Sequence, residues 1–147
     1  MILGPARRPF LVIKFYKMAS IFTKIVKGEI PSHKIYEDEK YLAFLDVFPL
    51  QEGHTLVIPK QEIDYMFDLD DELLTGLTLV SKKVAIAIAK AIPCTRIGTA
   101  VMGLEVPHAH LHLIPINKMD DMNFANEKLK FSQEELAATA GKIRQYL

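Results

Sequence analysis

The sequence contains one cysteine, no long apolar run and no net charge, and each shortage excludes a class of protein. Cys94 alone cannot form an internal disulfide or a cysteine-rich zinc site, which agrees with the reducing cytoplasm. No apolar run approaches the roughly 20 residues that span a bilayer, so we expect no membrane association. Eighteen basic residues balance eighteen acidic ones, so the overall charge does not attract nucleic acid. Anion binding would therefore require a local site.

The first seventeen residues, M-I-L-G-P-A-R-R-P-F-L-V-I-K-F-Y-K, differ from the rest. Their basic residues and short apolar run loosely resemble a signal peptide. However, Lys14 and Lys17 interrupt or close the run, and no small-x-small cleavage site follows it. Met18 offers an alternative start. We therefore expect residues 1–17 to form an N-terminal extension and residues 18–147 to form a single domain with one core.

The first half of the chain is expected to contain a short helix and three strands. Ser20 can cap a helix in S-I-F-T-K-I-V-K-G, and Gly28 suits its C-terminal left-handed position. The stretches K-I-Y-E and Y-L-A-F-L-D-V predict an antiparallel pair, and G-H-T-L-V-I-P predicts a third strand. In the second strand, Phe44 and Asp46 share a face by the two-residue period.

The second half of the chain predicts two longer helices around another hairpin. From Asp70 to Ile92, apolar residues recur every three or four positions, which is typical of a helix. Residues 96–102 and 106–114 predict two strands, and Ser132 with Glu135 forms a capping box that opens a C-terminal helix. The order of elements favours an α+β architecture: an antiparallel sheet of about five strands with helices on one side.

The stretch V-P-H-A-H-L-H-L-I-P-I places His108, His110 and His112 at alternate positions. On a strand they would share one face and be spaced by about 7 Å. One metal ion could not reach all three, because its bonds to nitrogen are only about 2 Å long. A pair of these histidines with a remote third ligand stays open. The other interpretations are a solvated polar face and, favoured here, anion chemistry, since imidazoles supply nucleophiles and hydrogen-bond donors near neutral pH.

The H-A-H-L-H-L-I segment resembles the signature of the histidine triad (HIT) superfamily of nucleotide hydrolases and transferases. S-I-F-T-K-I-V-K-G-E-I-P, Y-L-A-F-L-D-V and G-H-T-L-V-I-P-K resemble further blocks of its Hint-like branch, in the same order. The resemblance covers most of residues 20–116 and implies the HIT-like fold: a short N-terminal helix, a long central helix and a C-terminal helix with the sheet. It also implies a homodimer.

This resemblance implies a role for each histidine. His110 would attack the α-phosphate of a nucleotide and form a covalent nucleotidyl-histidine, which water then hydrolyses. His112 would contact the phosphate and assist the leaving group, while His108 and His54 would orient His110. Asp46 matches the carboxylate that binds the ribose hydroxyls. The residues that match the base pocket are Ile21, Phe22, Ile25, Phe44 and Val47.

Two positions before the triad differ from the commonest Hint-like pattern. Ile97 stands where an asparagine is usual, and Gly103 is the only residue kept from a Gly-Gln-Ser/Thr run. Glu105 brings a carboxylate to the phosphate side. It could favour an amine leaving group or act as an acid or base, it could weaken phosphate binding, or it could point to solvent. Gly103 and Glu105 are included among the predicted nucleotide-binding residues.

The expected substrates are adenosine or guanosine phosphoramidates, mononucleotides or dinucleoside polyphosphates, with no cofactor and no metal. Ser20 and Thr23 replace a Cys-x-x-Cys zinc motif that some HIT proteins carry, so thiolate ligands are absent. Two other hypotheses stay open. One is a nucleotide-binding or interaction module that turns over poorly because of Ile97 and Glu105. The other, less favoured, is a histidine metal site.

Overall fold

A computed structural model describes residues 19–147, so the predicted extension at residues 1–17 lies outside the described range. The helices and strands are α1 (Ile21–Val26), β1 (Lys34–Glu37), β2 (Tyr41–Leu45), β3 (Thr55–Pro59), α2 (Asp71–Ala91), β4 (Arg96–Ala100), β5 (Leu111–Ile116) and α3 (Gln133–Arg144). Five antiparallel strands form a sheet in the order β1-β2-β3-β5-β4. This confirms the predicted α+β architecture with five strands.

Alternation along the strands gives the sheet two apolar faces. Val57 of β3 and Leu113 of β5 point to the face that α2 and α3 cover. Leu56 and Ile58 of β3 point to the opposite face, where they pack with Phe22 of α1. The short helix therefore lies on the other side of the sheet from the two long helices. The expectation that the helices lie on one side is wrong for α1.

The long helix α2 begins and ends where its sequence predicts. Asp70 caps it by accepting a hydrogen bond from the backbone N–H of Leu73, and the helix ends before Pro93. The side chains of Leu77, Val84 and Ile88 are fully buried against the sheet. Among residues 19–147, no helix combines the length and the apolar character that crossing a bilayer requires.

The predicted strand at residues 106–114 is shorter at its N-terminal end than expected. The ladder starts at Leu111, so His108 and His110 precede β5. The backbone N–H of Ala109 donates to the carbonyl of Ile63, 2.7 Å away, rather than to a strand. The side chains nevertheless alternate, because Ala109 packs with the α2 side of the sheet while Val106 packs with the α1 side. The alternation of side chains was predicted correctly, whereas the hydrogen bonds of a strand are present from Leu111 onward and not at residues 106–110.

Candidate active site

The four histidines predicted for the site gather on the α1 face of the sheet. His112 is paired with Leu56 of the neighbouring strand, and His54 directly precedes that strand. The ring centroid of His112 lies 5.1 Å from that of His54 and 5.0 Å from that of His110. His110 Nδ1 lies 2.6 Å from the carbonyl oxygen of His108. One connected cluster therefore contains all four imidazoles.

His110 is held as a neutral imidazole with one nitrogen available. A carbonyl oxygen can only accept, so Nδ1 carries the proton and donates to His108. The lone pair then lies on Nε2, which hydrogen-bonds no residue between 19 and 147. Burial lowers the pKa of His110 below its usual value, although the bond to His108 and the charges of Asp64 and Glu105 oppose this. His110 is therefore uncharged at neutral pH, as a nucleophile must be.

A relay of hydrogen bonds sets the protonation of His112. The backbone N–H of Leu50 donates to Nδ1 of His54, 3.0 Å away, so the proton of His54 lies on Nε2. That Nε2–H donates to Nδ1 of His112 at 2.9 Å, which places the proton of His112 on its own Nε2. Burial lowers the pKa of His54 to about 3 and that of His112 to about 4. His112 therefore offers a hydrogen-bond donor without a positive charge.

Asp46 lies beside this relay, one residue beyond the end of β2. Its Oδ1 accepts the backbone N–H of Phe48 at 2.9 Å, and its Oδ2 lies 3.7 Å from Nε2 of His54. Burial raises the pKa of Asp46 above its usual value, and the charge of Glu105 adds to this, while the Phe48 bond and Lys128 oppose it. Because His54 is neutral, the contact is not an ion pair. Oδ2 stays available to accept from a ligand hydroxyl.

An aromatic wall from α1 borders His110. The ring centroid of Phe22 lies 5.0 Å from that of His110 and 5.5 Å from that of Phe44, both in edge-to-face geometry. Ile25 is buried with them. Ile21 is 49% exposed on the same short helix. The structure thus gathers Phe22, Phe44 and Ile25 near the triad and leaves Ile21 at the surface.

Val47 is more exposed than Phe22, Phe44 and Ile25. It is 44% exposed and lines a cavity of about 610 Å³, which Phe48, the donor to Asp46, also lines. None of the four clustered histidines lines this cavity. Its other lining residues are Pro31, Ser32, His33, Phe48, Lys128, Leu129, Lys130, Phe131 and Gln133.

Gly103, Glu105 and Ile97, which precede the triad, have different surroundings. Gly103 has a φ of +71°, which favours glycine at that turn. Glu105 is exposed, yet its charge raises the pKa values of both Asp46 and His110. Ile97 packs against the core under α2 and α3, away from the histidines. Of the two departures, Glu105 alone acts on the site electrostatically.

Two residues that the sequence did not identify complete the cluster. The ring centroid of Phe124 lies 4.9 Å from that of His112 and 6.2 Å from that of His54. The ammonium of Lys128 donates to the carbonyl of Phe124 at 2.6 Å, and its charge lowers the pKa values of Asp46 and His54. Both residues lie in irregular chain after β5, where no periodic pattern marks them. A sequence signal for them is absent.

The hydrogen bonds of His54 oppose a metal ion at the ligand atoms that lie close together here. Atoms of Asp46, His54 and His112 lie within 4.8 Å of one another. Binding through Nε2 of His54 would require its proton to move to Nδ1. That nitrogen already accepts the N–H of Leu50, so two hydrogens would face each other. The hydrogen bonding of His54 therefore opposes a metal at this place.

Comparison with known proteins connects this geometry to a family. The protein-family model for the HIT domain matches residues 27–119 of this chain. An uncharacterized HIT-like protein of Borreliella burgdorferi is 40% identical over 131 residues, covering 84% of this chain and 94% of its own. The adenosine 5'-monophosphoramidase HNT1 of Saccharomyces cerevisiae is 41% identical over 98 residues, covering 66% of this chain and 62% of its own.

A solved structure agrees with this similarity. A Hit-like protein of Bartonella henselae, described as involved in cell-cycle regulation, superposes with a TM-score of 0.77 at 34% identity. The superposition covers 87% of this chain and 96% of that one. The domain match includes all four clustered histidines and both central hairpins. This chain belongs to the HIT domain family.

Proposed function

We propose that this protein is a nucleotidyl hydrolase or transferase that acts at the α-phosphate of a purine nucleotide through a covalent intermediate on His110. The observation that carries this proposal is the pairing of two neutral imidazoles with opposite roles. Nε2 of His110 offers a lone pair, while Nε2 of His112 offers a hydrogen. A phosphoryl centre between them would meet a nucleophile and a hydrogen-bond donor together.

In the first step, Nε2 of His110 forms a bond to the α-phosphorus of a phosphoramidate. The phosphorus–nitrogen bond breaks, and the nitrogen takes up a proton from solvent and leaves as an amine. The imidazole ring becomes positively charged, and its Nδ1–H donates to the His108 carbonyl oxygen, which is already 2.6 Å away. His112 donates from Nε2 to the phosphoryl oxygen or the leaving atom. No metal takes part in this scheme.

In the second step, water attacks the phosphorus and the bond to His110 breaks. The nucleoside monophosphate is released, one proton returns to solvent, and His110 becomes neutral again. An alcohol or phosphate in place of water would make the reaction a transfer. The lowered pKa of His110 suits the first step, because a protonated His110 could not attack.

The nucleoside would bind beside the aromatic wall. Asp46 Oδ2 would accept from the ribose hydroxyls, and the edges of Phe22 and Phe44 would contact a purine base. This supports adenosine or guanosine phosphoramidates, mononucleotides or dinucleoside polyphosphates as substrates. HNT1, the monophosphoramidase relative, supports the first of these.

The most direct test is intact-protein mass spectrometry after rapid mixing with adenosine 5'-phosphoramidate. We expect one adenylyl group on the wild-type chain and none on His110→Ala. His33→Ala is the matched control, since His33 contacts Gln133 and lies outside the cluster. An adenylyl adduct that persists in His110→Ala would refute the covalent mechanism.

A second candidate, a nucleotide-binding module with weak turnover, is favoured by one observation. The carboxylate of Glu105 lies close enough to raise the pKa values of Asp46 and His110, so it would repel a phosphate there. Calorimetric binding of AMP without product after long incubation would favour this function. A gain of turnover in Glu105→Gln would identify the carboxylate as the cause.

Two further features of the proposal concern assembly and location. A homodimer is proposed from the family resemblance, and sedimentation equilibrium tests it. A cytoplasmic location is proposed because the single cysteine agrees with a reducing compartment.

A further inference from the structure

A carboxylate outside the histidine cluster binds the start of α1. Oε1 of Glu62 accepts the backbone N–H of Ser20 at 2.7 Å and the hydroxyl of Thr23 at 2.6 Å. Glu62 lies three residues after the last residue of β3, so these contacts join the loop after that strand to the N-terminus of the helix. One oxygen atom therefore positions both hydroxyl residues of the first helical turn.

These hydroxyl residues contact His108. Ser20 Oγ lies 2.8 Å from Nδ1 of His108 and accepts the backbone N–H of Thr23 at 3.0 Å. The other ring nitrogen of His108 lies 2.8 Å from the carbonyl oxygen of Pro59, so Nε2 carries the proton. The hydroxyl of Ser20 therefore donates to Nδ1. Both nitrogens of this fully buried ring are occupied, and the ring cannot rotate without losing a hydrogen bond.

His108 contacts His110 directly through its backbone. The carbonyl oxygen of His108 accepts Nδ1–H of His110, which leaves the lone pair on Nε2. Phe22 of the same helix touches both rings, with centroids 5.9 Å from His108 and 5.0 Å from His110. A displacement of the helix N-terminus would therefore move the packing and the hydrogen-bond acceptor of His110 together.

We propose that Glu62 is a positioning residue of the active site, which orients the nucleophile His110 through Ser20, Thr23 and His108. This inference rests on the proposed function for its catalytic consequence, but its structural part concerns the free protein. Glu62 touches neither substrate nor reacting atoms. The charge of Glu62 also reaches His108, whose pKa it raises against the larger lowering by burial.

The kinetic test compares Glu62→Ala, Glu62→Gln and Ser20→Ala on adenosine 5'-phosphoramidate. Glu62→Ala is expected to lower kcat about tenfold with KM nearly unchanged, as is common for residues that support a catalytic side chain. Glu62→Gln keeps an oxygen acceptor and should recover most of the loss. Glu39→Ala removes an exposed carboxylate of the β1–β2 turn and should behave as wild type.

A double-mutant cycle tests whether the residues act as one chain of contacts. We expect Ser20→Ala to lose about tenfold in kcat as well. If Glu62 acts through Ser20, the double variant should lose about tenfold to twentyfold, well short of the roughly hundredfold of independent effects. Independent, multiplying losses would overturn the inference, and so would a loss confined to KM. Thermal unfolding of every variant, measured by circular dichroism, identifies losses that come only from partial unfolding.

A spectroscopic test of the free protein separates this inference from the proposed function. Long-range nitrogen–proton NMR spectra report which nitrogen of each histidine carries the proton. Wild type should show His110 protonated at Nδ1 and His108 at Nε2, and Glu62→Ala should show mixed tautomers at one or both. Unchanged tautomers in Glu62→Ala would overturn the inference. Changed tautomers in a protein that turns over none of the proposed substrates would uphold the positioning and refute the function alone.

Discussion

Acidification should destabilise this protein strongly, because the site buries neutral imidazoles. The pKa of His54 is about 3 and that of His112 about 4 in the folded chain, whereas both would be near 6.5 when unfolded. Between these values the unfolded state binds more protons than the folded state. The free energy of unfolding therefore rises with pH. The contribution of these two neutral imidazoles is fully present above about pH 6.5 and is lost as the pH falls below that value.

The size of the effect follows from the same values. Between pH 7.5 and pH 4.5, unfolded His54 becomes protonated while folded His54 stays neutral, which costs roughly 3 kcal/mol of stability. His112 contributes nearly as much, so the two together lose about 5 kcal/mol. A domain of this size is stable by only about 5–15 kcal/mol, so a large part of its stability would disappear.

Urea unfolding followed by far-ultraviolet circular dichroism measures this, which suits a chain without tryptophan. His54→Asn places an oxygen near the acceptor position for the Leu50 N–H but cannot become protonated. Wild type should therefore lose about 3 kcal/mol more than His54→Asn over this pH interval. Thr55→Val, a buried neighbour that does not titrate, should follow the wild-type pH dependence. Equal pH dependence in wild type and His54→Asn would refute the reasoning.

Three further outcomes are expected. Gly76→Ala should destabilise the protein by about 1–3 kcal/mol in urea unfolding, because its Cβ would lie 1.9 Å from the Tyr41 hydroxyl oxygen. Gly141→Ala is the control: the nearest atom outside its own helix backbone is 3.6 Å from the added Cβ, so the change should stabilise the helix by up to about 1 kcal/mol. A destabilised Gly141→Ala with an unaffected Gly76→Ala would contradict this. His112→Ala should lower kcat about a hundredfold or more in steady-state assays, since the donor to the phosphoryl group is lost. A kcat within threefold of wild type would remove His112 from the mechanism. Asp46→Asn should raise KM for a ribonucleotide substrate about tenfold and leave KM for its 2',3'-dideoxy analogue unchanged; equal effects on both would argue against ribose binding.

The elements with a strong hydrophobic period were predicted well from the sequence. The three-to-four spacing in α2 and the capping box of α3 depend on contacts within a few residues, so the sequence contains them directly. The start of β5 was predicted too early for a related reason. An extended chain alternates its side chains whether or not a strand pairs with it, so His108 and His110 show the period without a ladder. The backbone N–H of Ala109 donates to the carbonyl of Ile63, and no local sequence pattern predicts this contact.

The structure brings together the four histidines that the sequence singled out, and it adds neighbours that the sequence did not identify. Phe124, Lys128 and Glu62 lie in loops. Phe124 and Glu62 reach the cluster through contacts with residues distant in sequence, and Lys128 acts through its charge on Asp46 and His54. Val47 was assigned to the base pocket from the family resemblance, and that assignment stays a prediction. In the structure Val47 is 44% exposed and lines a cavity that Phe48 and Lys128 also line.

Backbone atoms give chemically identical side chains different roles in this site. The Leu50 N–H can only donate, which makes His54 a donor to His112, and that makes His112 a donor at its outer nitrogen. The carbonyls of Pro59 and His108 can only accept, which protonates His108 at Nε2 and His110 at Nδ1. Backbone groups cannot be removed by ordinary substitution, so single side-chain changes nearby should weaken these roles without exchanging them. Moving the proposed nucleophilic role from His110 to His112 would require Nε2 of His112 to lose a proton that the relay from Leu50 keeps there.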